Sequence, residues 1–220
     1  SRQVADEMRA WSEAWKLGGS PAWDAYPVAV RLVSWLRILA WAGPMLVDDD
    51  RAFIRSGIAM HTAYLRNSLE WAIDGNHLLR DTWALALGAA VLDGPWATKL
   101  QRESAALFER TLAEQVLSDG WHEERTPMYH ARALRDAIEV QLCLAATGTP
   151  ISSTTSDRID AMLEVLPWMQ RADGALWYLN DTASDHGVDL EPLLARRDAP
   201  LPGGVRTFDA AHTVAVIDSC

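Results

Sequence analysis

Apolar positions recur by threes and fours along most of the chain, the spacing of helices that bury one face. Val4, Met8, Trp11 and Trp15 mark a helix over residues 2–17, which Gly18 and Gly19 stop. Residues 21–27 form a turn-rich connector. Val28, Leu32, Trp35 and Leu39 stripe a second helix over 28–42, ended by Gly43-Pro44. Asp48, Asp49 and Asp50 suit the positive end of a third helix, which the pattern carries to about Ile73. Asp74-Gly75 breaks the chain, and further helices are predicted over 77–92 and, from Pro95 in a first turn, to about Leu117. After an irregular segment from Asp119-Gly120 to Pro127, helices return over 128–146 and 156–169.

The pattern then changes. Residues 175–180 are short and aromatic, and 192–204 are broken by prolines and glycines. Residues 205–208 and 213–217 read as strands. The expected fold is mainly α. It is an incomplete α/α toroid of antiparallel helix hairpins (1–174), a linker (175–204) and the first strands of a β-sandwich (205–220). The chain starts inside a helix at Ser1 and stops inside a strand at Cys220, with no initiating Met and no signal peptide, so it reads as a fragment or processed form.

Charge narrows the partners. With 30 Asp+Glu against 20 Lys+Arg the net charge is −10, which argues against a nucleic-acid binder. No apolar run is expected to reach the roughly 18 residues of a membrane span. Cys143 and Cys220 make neither a disulfide framework nor a metal spacing, and Cys143 reads as a small buried hydrophobe. The 11 Trp residues serve either as core or as flat platforms for sugar rings.

Two segments concentrate chemistry. In Gly75-Asn76-His77-Leu78-Leu79, Asn76 is either an N-cap or, with His77, a donor to an anionic or carbonyl oxygen. Asp119 to His130 packs two His, one Tyr, one Arg and three carboxylates into one stretch. It is either a solvated, charge-paired loop or a set of acid–base groups fixed by a helix start. His61, His186 and His212 read as structural or surface residues. No spacing of His or Cys supports a zinc site, and neither a nucleophile elbow nor a phosphate loop is present.

These residues resemble the heparinase II/III-like polysaccharide lyases. Ala22-Trp23-Asp24-Ala25-Tyr26-Pro27 with Arg31 and Trp35 is similar to that family's Trp-x-Pro-Tyr-Pro…Arg…Asn-Trp segment, with Ala25 in place of a Pro. Leu69-Glu70 through Leu79 resembles its Leu-Glu…Gly-Asn-His-Leu motif. Asp119 to His130 resembles Asp-Gly-x-His-x-Glu-Arg-Ser-Pro-x-Tyr-His, with Thr126 for the Ser, and Asn180-Asp181 resembles a loop that precedes the sandwich.

The resemblance implies β-elimination on a uronate-containing polysaccharide, without cofactor or metal. Asn76 and His77 would neutralise the uronate carboxylate and Tyr129 would transfer the proton. A Tyr acting as base needs a depressed pKa, which Arg125 or a protonated His could supply. His122, Glu124, Arg125 and His130 would hold the site or touch substrate, and Trp23 and Tyr26 would contact sugar. A further catalytic His is expected from the missing β-sandwich portion or another chain. The resemblance also implies a bacterial, periplasmic or secreted protein. Two other classes stay open: a carbohydrate-binding or envelope-associated module without turnover, and an α/α-toroid glycoside hydrolase. The hydrolase would need two carboxylates from Asp119, Glu123, Glu124 and Asp181. The negative charge makes a heavily sulfated polymer the less favoured substrate.

Overall fold

The computed structural model describes residues 2–73, 75–183, 188–197, 199–200 and 202–217. His186 and Cys220 lie outside them. The chain divides into two compact units, Ser1–Ala106 and Leu107–Cys220.

The first unit contains α1 (Arg2–Ala14), a 3-10 turn (Pro21–Trp23), α2 (Ala25–Ala42), a second 3-10 turn (Gly43–Met45), α3 (Asp48–Arg66), α4 (Gly75–Ala90) and the start of α5 (Pro95–Gln115). Helix α2 is its centre and packs on both α3 and α4. Val28, Ala29, Leu32 and Val33 are fully buried. Two glycines set how closely the helices meet. A Cβ on Gly57 would lie 1.9 Å from the Trp35 ring, and one on Gly88 would lie 2.4 Å from the Thr62 hydroxyl. Contrary to the expectation from sequence, Ala25–Met45 is long and apolar enough to cross a membrane. Its stripe of fully buried residues against α3 and α4 is the pattern of a helix at the centre of a helical core.

Helix α3 ends at Arg66, well before Ile73, although the apolar period continues. Asn67 and Ser68 turn their side chains back onto the carbonyls of Ala63 (2.8 Å) and Tyr64 (2.9 Å). The Glu70 amide, which a longer helix would aim at Arg66, donates instead to Asp81 Oδ2 at 3.0 Å. Helix α1 likewise stops short, and the Trp15 carbonyl accepts the Trp23 indole N–H at 3.1 Å.

The second unit holds the rest of α5, then α6 (Pro127–Ala146), α7 (Ser153–Val165), a 3-10 turn (Leu166–Met169), the short α8 (Glu191–Leu194) and the strands β1 (Gly204–Phe208) and β2 (Thr213–Ile217). Helix α7 starts earlier than the pattern suggests because Ser152 caps it, accepting the Thr155 amide at 3.2 Å. Glu109 of α5 accepts from the Ser152 amide and hydroxyl and from Thr155 Oγ1, tying α5 to that cap. Pro167 then tightens the chain into the 3-10 turn. The strands pair antiparallel, from Gly204 opposite Ile217 to Phe208 opposite Thr213. Phe208 is buried edge-on against the rings of Trp121 and Trp168. Cys143 is only half-buried on α6, not a core residue.

Candidate active site

The two chemistry-rich segments fall in different units. In the first unit, Asn76 and His77 occupy the first turn of α4, half-buried. Because the helix has begun at Gly75, Asn76 is a helical residue there, not the cap. His77 Nδ1 lies 2.9 Å from Glu70 Oε2. A carboxylate only accepts, so this nitrogen carries the proton. The Tyr26 ring packs on the His77 ring with centroids 4.8 Å apart. The Arg80 guanidinium lies 5.9 Å from the Tyr26 ring and 4.6 Å from that of Trp83.

One turn on from His77, Asp81 is completely buried. Its Oδ2 takes the Glu70 amide, while Oδ1 has no hydrogen-bond partner. Burial pushes the carboxyl up to about 7; the Glu70 amide opposes that shift and the Glu70 charge adds to it. A neutral carboxyl suits a pocket that satisfies only one oxygen.

Trp23 is a correction. It exposes 3% of its surface and stacks on His61, with ring centroids 5.3 Å apart. It is part of the core and presents no face to a sugar. Arg31 lies over Trp11 (4.0 Å) and Trp23 (5.0 Å), donates from Nε to His61 Nε2 (2.8 Å) and from Nη1 to the Ala22 carbonyl (2.9 Å). The ring of Trp35 also approaches His61. The Trp23…Arg31…Trp35 segment is therefore a brace around a buried histidine. His61 is held neutral, its pKa lowered to about 4 chiefly by burial.

In the second unit the Asp119–His130 segment is not a solvated loop. His122 and His130 are fully buried. The His122 amide donates to His130 Nδ1 (3.3 Å), and His130 Nε2 lies 3.0 Å from the Met162 carbonyl. His122 Nδ1 in turn accepts the Glu124 amide at 3.3 Å. Each ring is thus assigned one tautomer, with its proton on Nε2. Burial lowers the His122 pKa to about 4 and that of His130 to about 3. Both rings are neutral, so neither is the cation expected beside Tyr129; Arg125 is the remaining candidate. Tyr129 is half-buried in the first turn of α6. Arg125 is exposed, with φ at 52° in the left-handed region. Asn180 holds it there, its amide donating to the carbonyls of Glu124 (3.2 Å) and Arg125 (2.9 Å). Thr182 Oγ1 accepts the Met128 amide (3.3 Å), fastening the same loop to the start of α6.

Asp119 is engaged by backbone, accepting from Trp121 (3.3 Å) and from Ala211 of the β-hairpin turn (2.8 Å). Gly120 has φ at 90°, and a Cβ there would meet the Ala161 carbonyl at 2.6 Å, so this turn lies directly on α7. His212 is exposed, with φ at 50°. Among the described residues no three His, Cys, Asp or Glu are grouped to hold a metal.

Sequence reasoning quoted Glu70 and Asn180 without giving them a task, and it missed Asp81 and Thr182. A charge among Leu78, Leu79 and Trp83 on the buried side of α4 was the available signal for Asp81.

The family profile described as Heparinase II/III N-terminus matches residues 19–190, most of the chain. The chain belongs to the heparinase II/III family. No curated protein sequence matches it. Among solved structures, a heparinase III aligns with a TM-score of 0.67 at 18% identity, over 78% of this chain and 27% of that one. The heparan sulfate lyase HepC from Pedobacter heparinus aligns at 0.62 and 15% identity, over 82% and 30%. A further heparinase III gene product aligns at 0.63 and 18% identity, over 85% and 33%. These likenesses show the fold, the helical α/α toroid, and the chain spans about a third or less of each.

Proposed function

We propose that the chain is the helical part of a lyase that cleaves a uronate-containing polysaccharide by β-elimination. The observation that carries the reading is the placement of the candidate groups. Asn76 and His77 lie in the first turn of α4, and Tyr129 lies in the first turn of α6. The positive end of a helix favours negative charge, which elimination at a uronate needs on the base before proton transfer and develops on the substrate after it.

In the proposed reaction, Asn76 and His77 donate to the uronate carboxylate. That withdraws charge and makes the C5 proton more acidic. Tyr129 takes this proton as base while the further His protonates the departing O4, or Tyr129 protonates O4 as acid while that His takes the C5 proton. The C5–H electron pair becomes the C4–C5 double bond and the C4–O4 bond breaks, so no water is consumed. Tyr26 and Arg125 contact substrate. Glu124, His122 and His130 hold the loop, and Trp23 braces the core. The β1–β2 hairpin is the proposed beginning of a sandwich whose remainder, or another chain, supplies a further His. A periplasmic or secreted bacterial enzyme fits this reaction on an extracellular polymer.

The hydrolase reading loses ground because Asp119 is occupied by two backbone amides. The test is ultraviolet absorbance of an unsaturated uronate over a panel of heparan-type, alginate-type and exopolysaccharide polymers. A rise on one polymer is the expected result. New reducing ends without absorbance would mean hydrolysis, and binding without either would mean a binding module.

A further inference from the structure

We infer that Glu70 is a positioning residue for His77, and that Asp81 keeps Glu70 in place. The inference rests on the function proposed above, for it concerns the ring set there beside the uronate carboxylate.

Glu70 is gripped twice by one face of α4. His77 and Asp81 are four residues apart, hence neighbours on the helix surface. The Glu70 side chain meets His77 Nδ1 at 2.9 Å, and its amide meets Asp81 Oδ2 at 3.0 Å. Both contacts are needed because the segment has an alternative. Leu65, Leu69 and Ile73 are spaced by fours, so the sequence after Arg66 is able to continue α3. In that helix the Glu70 amide would serve the Arg66 carbonyl and the side chain would leave His77. Asp81 captures the amide and decides between the two paths. The Glu70 side chain is mostly sheltered, at 16% exposure, while that of His77 stays at 39%. The carboxylate therefore holds the ring from the protein side and leaves part of it accessible.

The chemical consequence is a fixed ring nitrogen. Glu70 only accepts, so Nδ1 keeps its proton and Nε2 is the nitrogen left for substrate, donating to the uronate carboxylate as an imidazolium. An unheld imidazole would present either nitrogen, and a ring that has to reorient on binding loses catalytic geometry.

Nitrogen NMR of the His77 ring in this chain reads the tautomer directly and needs no turnover. The neutral wild-type ring is expected to carry its proton on Nδ1. Glu70→Gln keeps that form, because the amide oxygen still accepts. Glu70→Ala moves the proton to Nε2. Asp81→Asn retains the wild-type form and Asp81→Leu shifts it toward that of Glu70→Ala. The signals of His122 and His130 stay unchanged in each variant and report an intact second unit. An Nε2–H ring in the wild-type chain, or an Nδ1–H ring surviving in Glu70→Ala, overturns the inference; the wild-type spectrum alone does so even where a variant fails to fold. The predicted tautomers in a protein that eliminates no uronate support the positioning and overturn the proposed function instead.

Discussion

The two motif regions use the same residue type in opposite ways. At the start of α4, His77 is half-exposed and bonded to a carboxylate side chain. Between α5 and α6, His122 and His130 are fully buried and bonded to backbone. One histidine keeps part of its ring accessible. The other two replace secondary structure, their Nδ1 atoms accepting the His122 and Glu124 amides of an irregular loop. A histidine in a family motif is therefore not a catalytic histidine by default; burial and partner type separate the roles.

The largest stability difference should separate these regions. His130→Ala removes a packed ring and leaves the His122 amide without its acceptor. It should cost about 3–5 kcal/mol in denaturant unfolding. His77→Ala should cost less than about 1 kcal/mol, as is usual for a partly exposed side chain. Equal losses would erase the distinction.

Acid titration sharpens the same contrast. His61, His122 and His130 have folded pKa values of about 4, about 4 and about 3, below the ordinary 6.5. Their stabilisation is present above about 6.5 and is lost as pH falls through about 4, because the unfolded chain then binds protons the folded one refuses. Asp81 has the opposite sign. Its carboxyl is raised from 3.8 to about 7, so its contribution is present at acid pH and lost as pH rises toward about 7. Asp81→Asn should therefore raise stability relative to wild type at about pH 8 more than at about pH 5. Thermal melts across pH check both slopes, and a wild-type curve that gains stability on acidification below about pH 6 contradicts the neutral-histidine assignment.

Smaller effects follow in the second region. Gly120→Ala forces a Cβ onto the Ala161 carbonyl at a left-handed position and should cost roughly 2 kcal/mol. Asn180→Ala frees two carbonyls of the Arg125 turn and should cost about 1 kcal/mol, read by unfolding and by faster amide exchange at Arg125.

Much of the fold was legible in the sequence because its helices bury one face each. The stripe Val28, Leu32, Trp35 appears directly in the core of α2. The end of α3 was not legible, since Leu69 and Ile73 keep the period while a distant carboxyl, Asp81, takes the Glu70 amide. The short α8 was hidden by Pro192, which the first turn of a helix tolerates. Of the candidate site, the motifs gave the residues and their order. They did not give burial, which is set by tertiary packing; that is why Trp23 reads from sequence as a sugar platform and lies in the structure beneath Arg31 and His61.

The most direct test of the proposed chemistry is Tyr129→Phe, with elimination and polymer binding measured side by side. The change removes one hydroxyl from the first turn of α6. Turnover should fall by roughly 10²–10⁴-fold, the span of a positioned acid–base group, with binding nearly unchanged. Full elimination activity in Tyr129→Phe would contradict the assignment of Tyr129 as the residue that moves the proton.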